Sequence, residues 1–472
     1  MKRGLPPVDI RRRRGRTVPA RCRISVARAL QFLSPGPATV ETTPPGVFRQ
    51  RLLLGLQSMP RHHAPAPLDP AADAALLLRR IAFGTLALLL PIASLVSRRA
   101  AVVLAPIGVV LLVIAALIED PRDFATTFKR SVLSLPGLML IGLVGWAVLS
   151  LVWSPYTASA TEKAGNLVLA VLLGFLGNAA LPERMRASNL NLAPLGAGVA
   201  GAFALALIVV AALRHSDAEA ASVDRGISVI LIMAWPALAW LLSRERGLSA
   251  VGLALVVGLL SLTRFEDGEA VAMICGAVAF GAVSANREKA STLVAAVIAG
   301  LMLLAPVLPF LLIPIVSRLP DASFAQSLAA WADIVSAAPI QLVTGHGLDT
   351  VLRGRLIGAL PPATPTTLLF ETWYELGLVG AAAAAFCLYV AIRAAGRMPS
   401  ALAAGGVAAF ATAFALSALG FATLQPWWLM TLTAVVLLFG AIARGQYRTH
   451  RPVAPLLKPA GTTRPKAGGT AG

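Results

Sequence analysis

The chain has 472 residues, 57% of them hydrophobic and only 13% charged, with a mean hydropathy of +0.76 and a formal net charge of +19. This composition excludes an ordinary water-soluble globule and defines a polytopic membrane protein. The apolar runs are continuous and do not alternate at period two, so they describe spanning helices and not a barrel. About half of the Lys and Arg residues lie before residue 81 or after residue 443. That distribution reads as topology, with both termini on the cytoplasmic side, and not as a nucleic-acid surface, because no aromatic platform accompanies the arginines. Cys22, Cys275 and Cys387 are too scattered for a disulfide framework or a metal knuckle.

Residues 1–75 are rich in Arg and Pro, lack sustained periodicity and are expected to be disordered. No apolar h-region follows the early arginines at signal-peptide spacing. Met59 looks like an ordinary start for a bacterial inner-membrane protein, so residues 1–58 are expected to precede the true initiation site. A transmembrane domain is expected over 76–443 and a disordered cytoplasmic tail over 444–472. Within the domain, apolar runs of span length predict about twelve helices: 77–97, 100–118, 134–153, 164–181, 193–213, 227–243, 247–263, 268–285, 291–316, 367–395, 400–421 and 425–443. The predicted fold is therefore all-α, a polytopic transmembrane helix bundle. Its large loop, 317–366, lies on the periplasmic side between the ninth and tenth spans.

Long loops are seldom idle. In this one, "ASFAQSLAAWADIVSAAPI" has the spacing of a surface amphipathic helix through Phe324, Leu328, Trp331 and Val335. "GHGLD" follows as a glycine-flanked turn carrying His346 and Asp349, and then a basic, Pro-rich approach carries Arg353 and Arg355. The tenth span opens with "TPTTLLFETWYELGLVG". Thr364 is a candidate cap and Pro365 suits the first helical position. Thr367, Glu371 and Glu375 fall on one face, and Trp373, Gly377 and Gly380 form a flank suited to close helix contact.

Carboxylates at this depth are costly unless they face water or a cation. Candidate cations on the same side are Arg225, Arg264, Arg318, Arg353 and Arg355, whose guanidinium forks match phosphate oxygens. Such a pocket suits a lipid-linked diphosphate, with a base to deprotonate an acceptor hydroxyl. Each residue also has a plainer role. Single arginines outside the membrane are commonly solvated, Glu371 and Glu375 can simply pair helices, and His346 can be a turn residue. Glu266, Asp267 and Glu269 can form no more than a polar hairpin tip. The functional reading requires Arg225, Glu371, His346 and a loop arginine to line one outward-facing cleft.

In order along the chain, "WSPYTASATEKAGNLVLAVLLG", "DRGISVILIMAWPALAWLL", "GHGLD", "TTLLFETWYELGLVG" and "LQPWWLMTLTAVVLL" resemble the O-antigen ligase and polymerase superfamily of inner-membrane, GT-C-like proteins. The resemblance covers most of the chain after Met59. It implies an inverting glycosyltransferase that uses no metal or other cofactor and acts at the periplasmic face. The donor would be a glycan on a polyprenyl (undecaprenyl) diphosphate carrier; the acceptor would be lipid A-core or, in a polymerase, a second lipid-linked glycan. Membrane lipids are the remaining partner, and a non-catalytic binder or transporter is the alternative of a different class.

Arg225 matches the arginine the family uses on the diphosphate. Thr366 and Thr367 occupy the family's usual His-Asn positions, and Ser327 replaces an arginine four residues before the loop tryptophan, here Trp331. Threonine cannot act as a base near neutral pH. Glu371, His346 and Asp349 are therefore the catalytic candidates, with Arg225, Arg318, Arg353, Arg355, Thr366, Thr367 and Glu375 as substrate-binding candidates.

Overall fold

The structure is a computed structural model, and it describes residues 70–445 apart from 215–219, 264–267, 317, 319–321, 338–340 and 421–423. Arg264, Glu266 and Asp267, and most of both predicted tails, lie outside the described residues. The described residues are 87% helical, with no strand among them, and ten of the helices are long and apolar enough to cross a membrane. In chain order the elements are α1 (Pro70–Val96), α2 (Ala100–Glu119), α3 (Pro121–Val132), α4 (Leu135–Val152), α5 (Thr157–Ala180), α6 (Leu192–Arg214), α7 (Ala220–Ser243) and α8 (Gly247–Leu262). They continue as α9 (Glu269–Ala285), α10 (Arg287–Val316), α11 (Ala322–Ala337), α12 (Thr350–Leu356), α13 (Leu368–Gly396), α14 (Ser400–Ala418) and α15 (Pro426–Gly445). Two of the twelve expected spans, α8 and α9, have 16 and 17 residues and are the shorter apolar helices.

The chain turns its apolar surface outward as well as inward. Leu255, Val278, Leu293 and Leu311 are each more than 60% exposed, the pattern expected where hydrocarbon and not water is the surrounding solvent. At the centre runs α7, buried on every side from Gly226 to Leu241 and packed against α1, α6, α8, α14 and α15. Because lipid gives apolar helices no reason to associate, fixed polar contacts matter for register. One such contact is Trp235 Nε1, which donates to Thr412 Oγ1 at 2.9 Å between α7 and α14.

The helix α3 occupies the polar stretch between the second and third expected spans. Asp120 caps it, accepting from Arg122 N at 2.9 Å and Asp123 N at 3.1 Å, and no residue of it is buried. Phe124 and Phe128 stack along one side. Its strong two-faced character and its position between spans are those of a helix lying at a membrane interface.

The described ends of the chain meet at one end of the bundle. Gly445 packs toward Leu190 and Met185, its carbonyl accepts from Arg244 Nη2 at 3.3 Å, and one cavity is lined jointly by Arg79, Glu119, Arg184 and Asn189. The opposite end holds the start of α5, residues 345–367, the first half of α13, the end of α14 and the start of α15.

The large loop differs from expectation in one respect. In α11 the face turned inward is that of Leu328 and Trp331, with Trp331 edge-on to Phe370 of α13, while Phe324 stays about half exposed. The helix packs mainly against the end of α10, reaches α13 through the Trp331–Phe370 contact, and does not lie free on the surface.

Candidate functional site

The first helical residue of α13 is Leu368, and its cap is Thr367, not Thr364. Thr367 is extended (φ −104°, ψ 152°), which brings its hydroxyl 3.3 Å from Phe370 N. Thr364, buried one turn earlier, donates its backbone N–H to Pro361 O at 2.9 Å. Pro365 continues this extended approach, as a proline favours for the residue before it.

Nine residues on, α13 breaks. Gly377 has φ 68° and ψ −166°, a conformation only glycine adopts without strain. A helix interrupted in this way frees carbonyls that a membrane interior cannot hydrate. Three of them find protein donors: Tyr374 O accepts from His346 N at 2.8 Å, Glu375 O from Gly347 N at 3.0 Å, and Leu376 O from Trp146 Nε1 at 2.9 Å. The Gly-His-Gly turn is shaped for this contact. Gly345 and Gly347 both have positive φ, and a Cβ on Gly345 would run into the Glu375 carbonyl. Gly377 therefore admits the backbone of Val343–Gly345, the end of a single helical turn and the glycine after it, and not the face of another spanning helix.

His346 belongs to the same cap. Its ring stacks on Tyr374 with centroids 3.9 Å apart and planes 8° apart, and Nδ1 lies 3.1 Å from Tyr374 O, so Nδ1 carries the proton and donates. Burial pushes its pKa below the usual 6.5.

The break also aims the acids. Glu371 and Glu375, one turn apart, both point at Lys163 of α5. Its Nζ lies 2.9 and 3.1 Å from the two oxygens of Glu375, 3.9 Å from Glu371 Oε2 and 4.0 Å from Asp349 Oδ1. All three carboxylates are at most 7% exposed. Asp349 sits in the left-handed region (φ 65°) two residues after the last glycine of the Gly-His-Gly turn and just before α12, and Arg353 Nε reaches its Oδ2 at 3.4 Å. Glu375 also accepts from Val351 N at 3.4 Å. One ammonium thus serves three buried carboxylates, the kind of ionic cluster that persists only when each member has a partner.

This cluster forms the floor of a cleft of ≈ 390 Å³. Ser159, Glu162, Lys163 and Asn166 of α5 line it on one side, Asp349, Arg353 and Arg355 on another, and Thr366, Glu371, Gly420, Gln425 and Pro426 complete it. Arg355 Nη2 holds the Pro-rich approach through Pro362 O at 3.0 Å. A more open hollow of ≈ 540 Å³ shares Ser159, Glu162 and Arg353 as a common wall.

Asp349, Arg353, Arg355, Thr366 and Glu371 are thus brought to one cleft, with Glu375 directly beneath it. The expected convergence fails for two residues. Arg225 lies over the Trp427 ring, 5.9 Å from its centroid, and reaches the cleft only through Trp427 Nε1, which donates to the lining residue Gln425 at 2.8 Å. His346 is occupied by the helix break and does not line the cleft. Arg318 is exposed and does not line it, and Thr367 is a cap. Lys163 was missed as a site residue although it lies within the motif "WSPYTASATEKAGNLVLAVLLG" at the mouth of a span, where a cation can serve buried acids. The predicted span began at 164, whereas α5 begins at Thr157 and places Lys163 nearly two turns inside.

Fold and site together define a membrane-embedded helical protein with a charged cleft at one end. No family model, curated protein or solved structure matches this chain.

Proposed function

We propose that this protein transfers a glycan from a polyprenyl-diphosphate carrier to lipid A-core or a related acceptor, in the manner of the O-antigen ligases that its motifs resemble. The observation that supports the reading is the meeting of Glu371, Asp349, Arg353, Arg355 and Lys163 in one cleft, although they come from three separate segments. The Lys and Arg residues carried by the turns at the end that gathers the described termini support a cytoplasmic location for that end, which would set the cleft at the periplasmic face of the inner membrane.

In this reaction Arg353 and Arg355 take the diphosphate oxygens, and Glu371 is the base. Glu371 removes the proton of the acceptor hydroxyl, whose oxygen bonds to the anomeric carbon from the face opposite the leaving group. The bond from that carbon to the diphosphate oxygen breaks, and the diphosphate leaves with the electron pair, stabilised by the guanidinium groups. Lys163 orients the carboxylates. Two hollows sharing the Arg353 wall suit a donor and an acceptor held side by side. His346 is not assigned the base role, because its Nδ1 proton and its ring are committed to Tyr374.

Deleting the gene and comparing surface polysaccharide by gel electrophoresis tests the reading. Loss of long chains from lipid A, with lipid-linked precursor accumulating, is the expected result. Single-unit caps would instead assign a polymerase, and an unchanged profile would contradict both.

A further inference from the structure

The end of the bundle that gathers the described termini holds a charged cavity of ≈ 510 Å³ that shares no lining residue with the cleft. It lies between α1, α3 and the segment that joins α5 to α6. Two polar groups on its wall are buried without full partnership. Asn189 is 8% exposed, yet its side-chain amide makes no hydrogen bond among the described residues. Arg79, 5% exposed, gives both terminal nitrogens to Glu119 and keeps a buried Nε–H that has no acceptor. Buried donors are rarely left unpaired, so two of them beside one cavity call for an acceptor from outside the chain. The surrounding charges indicate its sign. Arg80, Arg184 and Arg186 are exposed, line the same cavity and form no hydrogen bond or ion pair among the described residues. The neighbouring carboxylates are largely committed: Glu119 holds Arg79, Asp120 caps α3, and Asp123 and Glu183 lie in the field of Arg444.

We propose that this cavity binds the head of an anionic polyol phospholipid. The free guanidinium groups take the phosphate oxygens, the Asn189 amide donates to the same group, and Asp123 and Glu183 accept from the polyol hydroxyls. The walls favour a lipid over a soluble phosphate. Leu76 and Phe124 add apolar surface to the lining, and α3, which has no buried residue, lies at the level of the headgroups. Basic pockets between spanning helices are a recurrent seat for such heads. The mixed lining also discriminates among lipids: a choline head would bring its own cation among the arginines and has no hydroxyl to give the carboxylates. The site lies at the opposite end of the bundle from Glu371 and requires nothing of glycan transfer, so the two readings are independent.

The test titrates the full chain, purified in detergent and delipidated, with phosphatidylglycerol and reads retained lipid by native mass spectrometry. Phosphatidylcholine and inorganic phosphate are the competitors, and retention is expected to survive equimolar amounts of either. The double variant Arg184→Gln, Arg186→Gln, changed only at exposed positions, should weaken retention about 25-fold, or about fivefold per arginine. Asn189→Ala should weaken it about fivefold. The control pair Arg246→Gln, Lys289→Gln removes the same charge from exposed positions at the same end, outside the cavity, and should change nothing. The proposal is overturned if the wild type retains no phosphatidylglycerol or if phosphatidylcholine displaces it. Displacement by equimolar inorganic phosphate would assign the cavity to a soluble anion and overturn it too. So would cavity variants that retain the lipid as the wild type does, or a control pair that weakens retention as much as the arginine pair.

Discussion

Buried ion pairs stand at both ends of this bundle, and they are built differently. At the end that gathers the described termini, Arg79 of α1 grips Glu119 of α2 with both terminal nitrogens, one cation to one carboxylate, and the Glu119 side chain remains about half exposed. At the other end Lys163 serves Glu375, Glu371 and Asp349, all of them buried, with Arg353 assisting only Asp349. The first arrangement is closed and serves as a staple. The second holds more carboxylates than close cations, and the acid farthest from full pairing, Glu371, lines the cleft together with Asp349.

Removing each cation in turn separates the two ends most clearly. Lys163→Met leaves three buried carboxylates without their shared partner and should cost about 3–5 kcal/mol, seen as loss of the monodisperse peak in fluorescence-detected size exclusion. Arg79→Met leaves only a solvent-accessible glutamate and should cost about 1 kcal/mol or less. Equal losses would show that the two ends are not different in kind. Next in size is Gly377→Ala. Its positive φ and the approach of Gly345 N and Val343 O, both 2.5 Å from the added Cβ, predict a loss of about 3 kcal/mol, read as a lowered melting temperature in detergent. A melting temperature equal to wild type would mean that α13 is continuous.

Smaller effects sharpen the division between cap and cleft. His346→Ala removes a hydrogen bond and a stacked ring at the break and should cost about 1 kcal/mol, with glycan transfer in membranes within a few-fold of wild type. Loss of transfer at full stability would return His346 to the chemistry. The smallest effect is one of pH. His346 titrates lower in the folded protein than when unfolded, so the unfolded chain binds more protons in that interval and stability falls as pH drops below 6.5. His346→Gln should flatten that part of a melting-temperature profile, and an unchanged slope would remove His346 as its source.

Much of the architecture was legible in the sequence because hydropathy is local: the apolar runs mark the helices, and the four-residue spacing of Glu371 and Glu375 places both on one face. The break at Gly377 was not legible, since apolar character continues through it and a glycine in a spanning helix reads equally well as a packing surface. The role of the Gly-His-Gly turn depends on carbonyls 28 residues downstream, a relation that composition does not carry. Lys163 was hidden by a boundary. A span drawn from its apolar core starts after the lysine, while the helix itself starts at Thr157. Arg225 matched a motif by position, yet its guanidinium rests on Trp427, which only the packing of α7 against α15 determines.

In the proposed reaction Glu371, the acid held most weakly in the Lys163 cluster, is the base that acts on substrate. The most direct test of that role is glycan transfer by reconstituted Glu371→Gln protein, measured beside its melting temperature. Transfer should fall by about 10²–10⁴-fold at a melting temperature close to wild type, because Lys163 keeps Glu375. Full transfer by this variant would contradict that role.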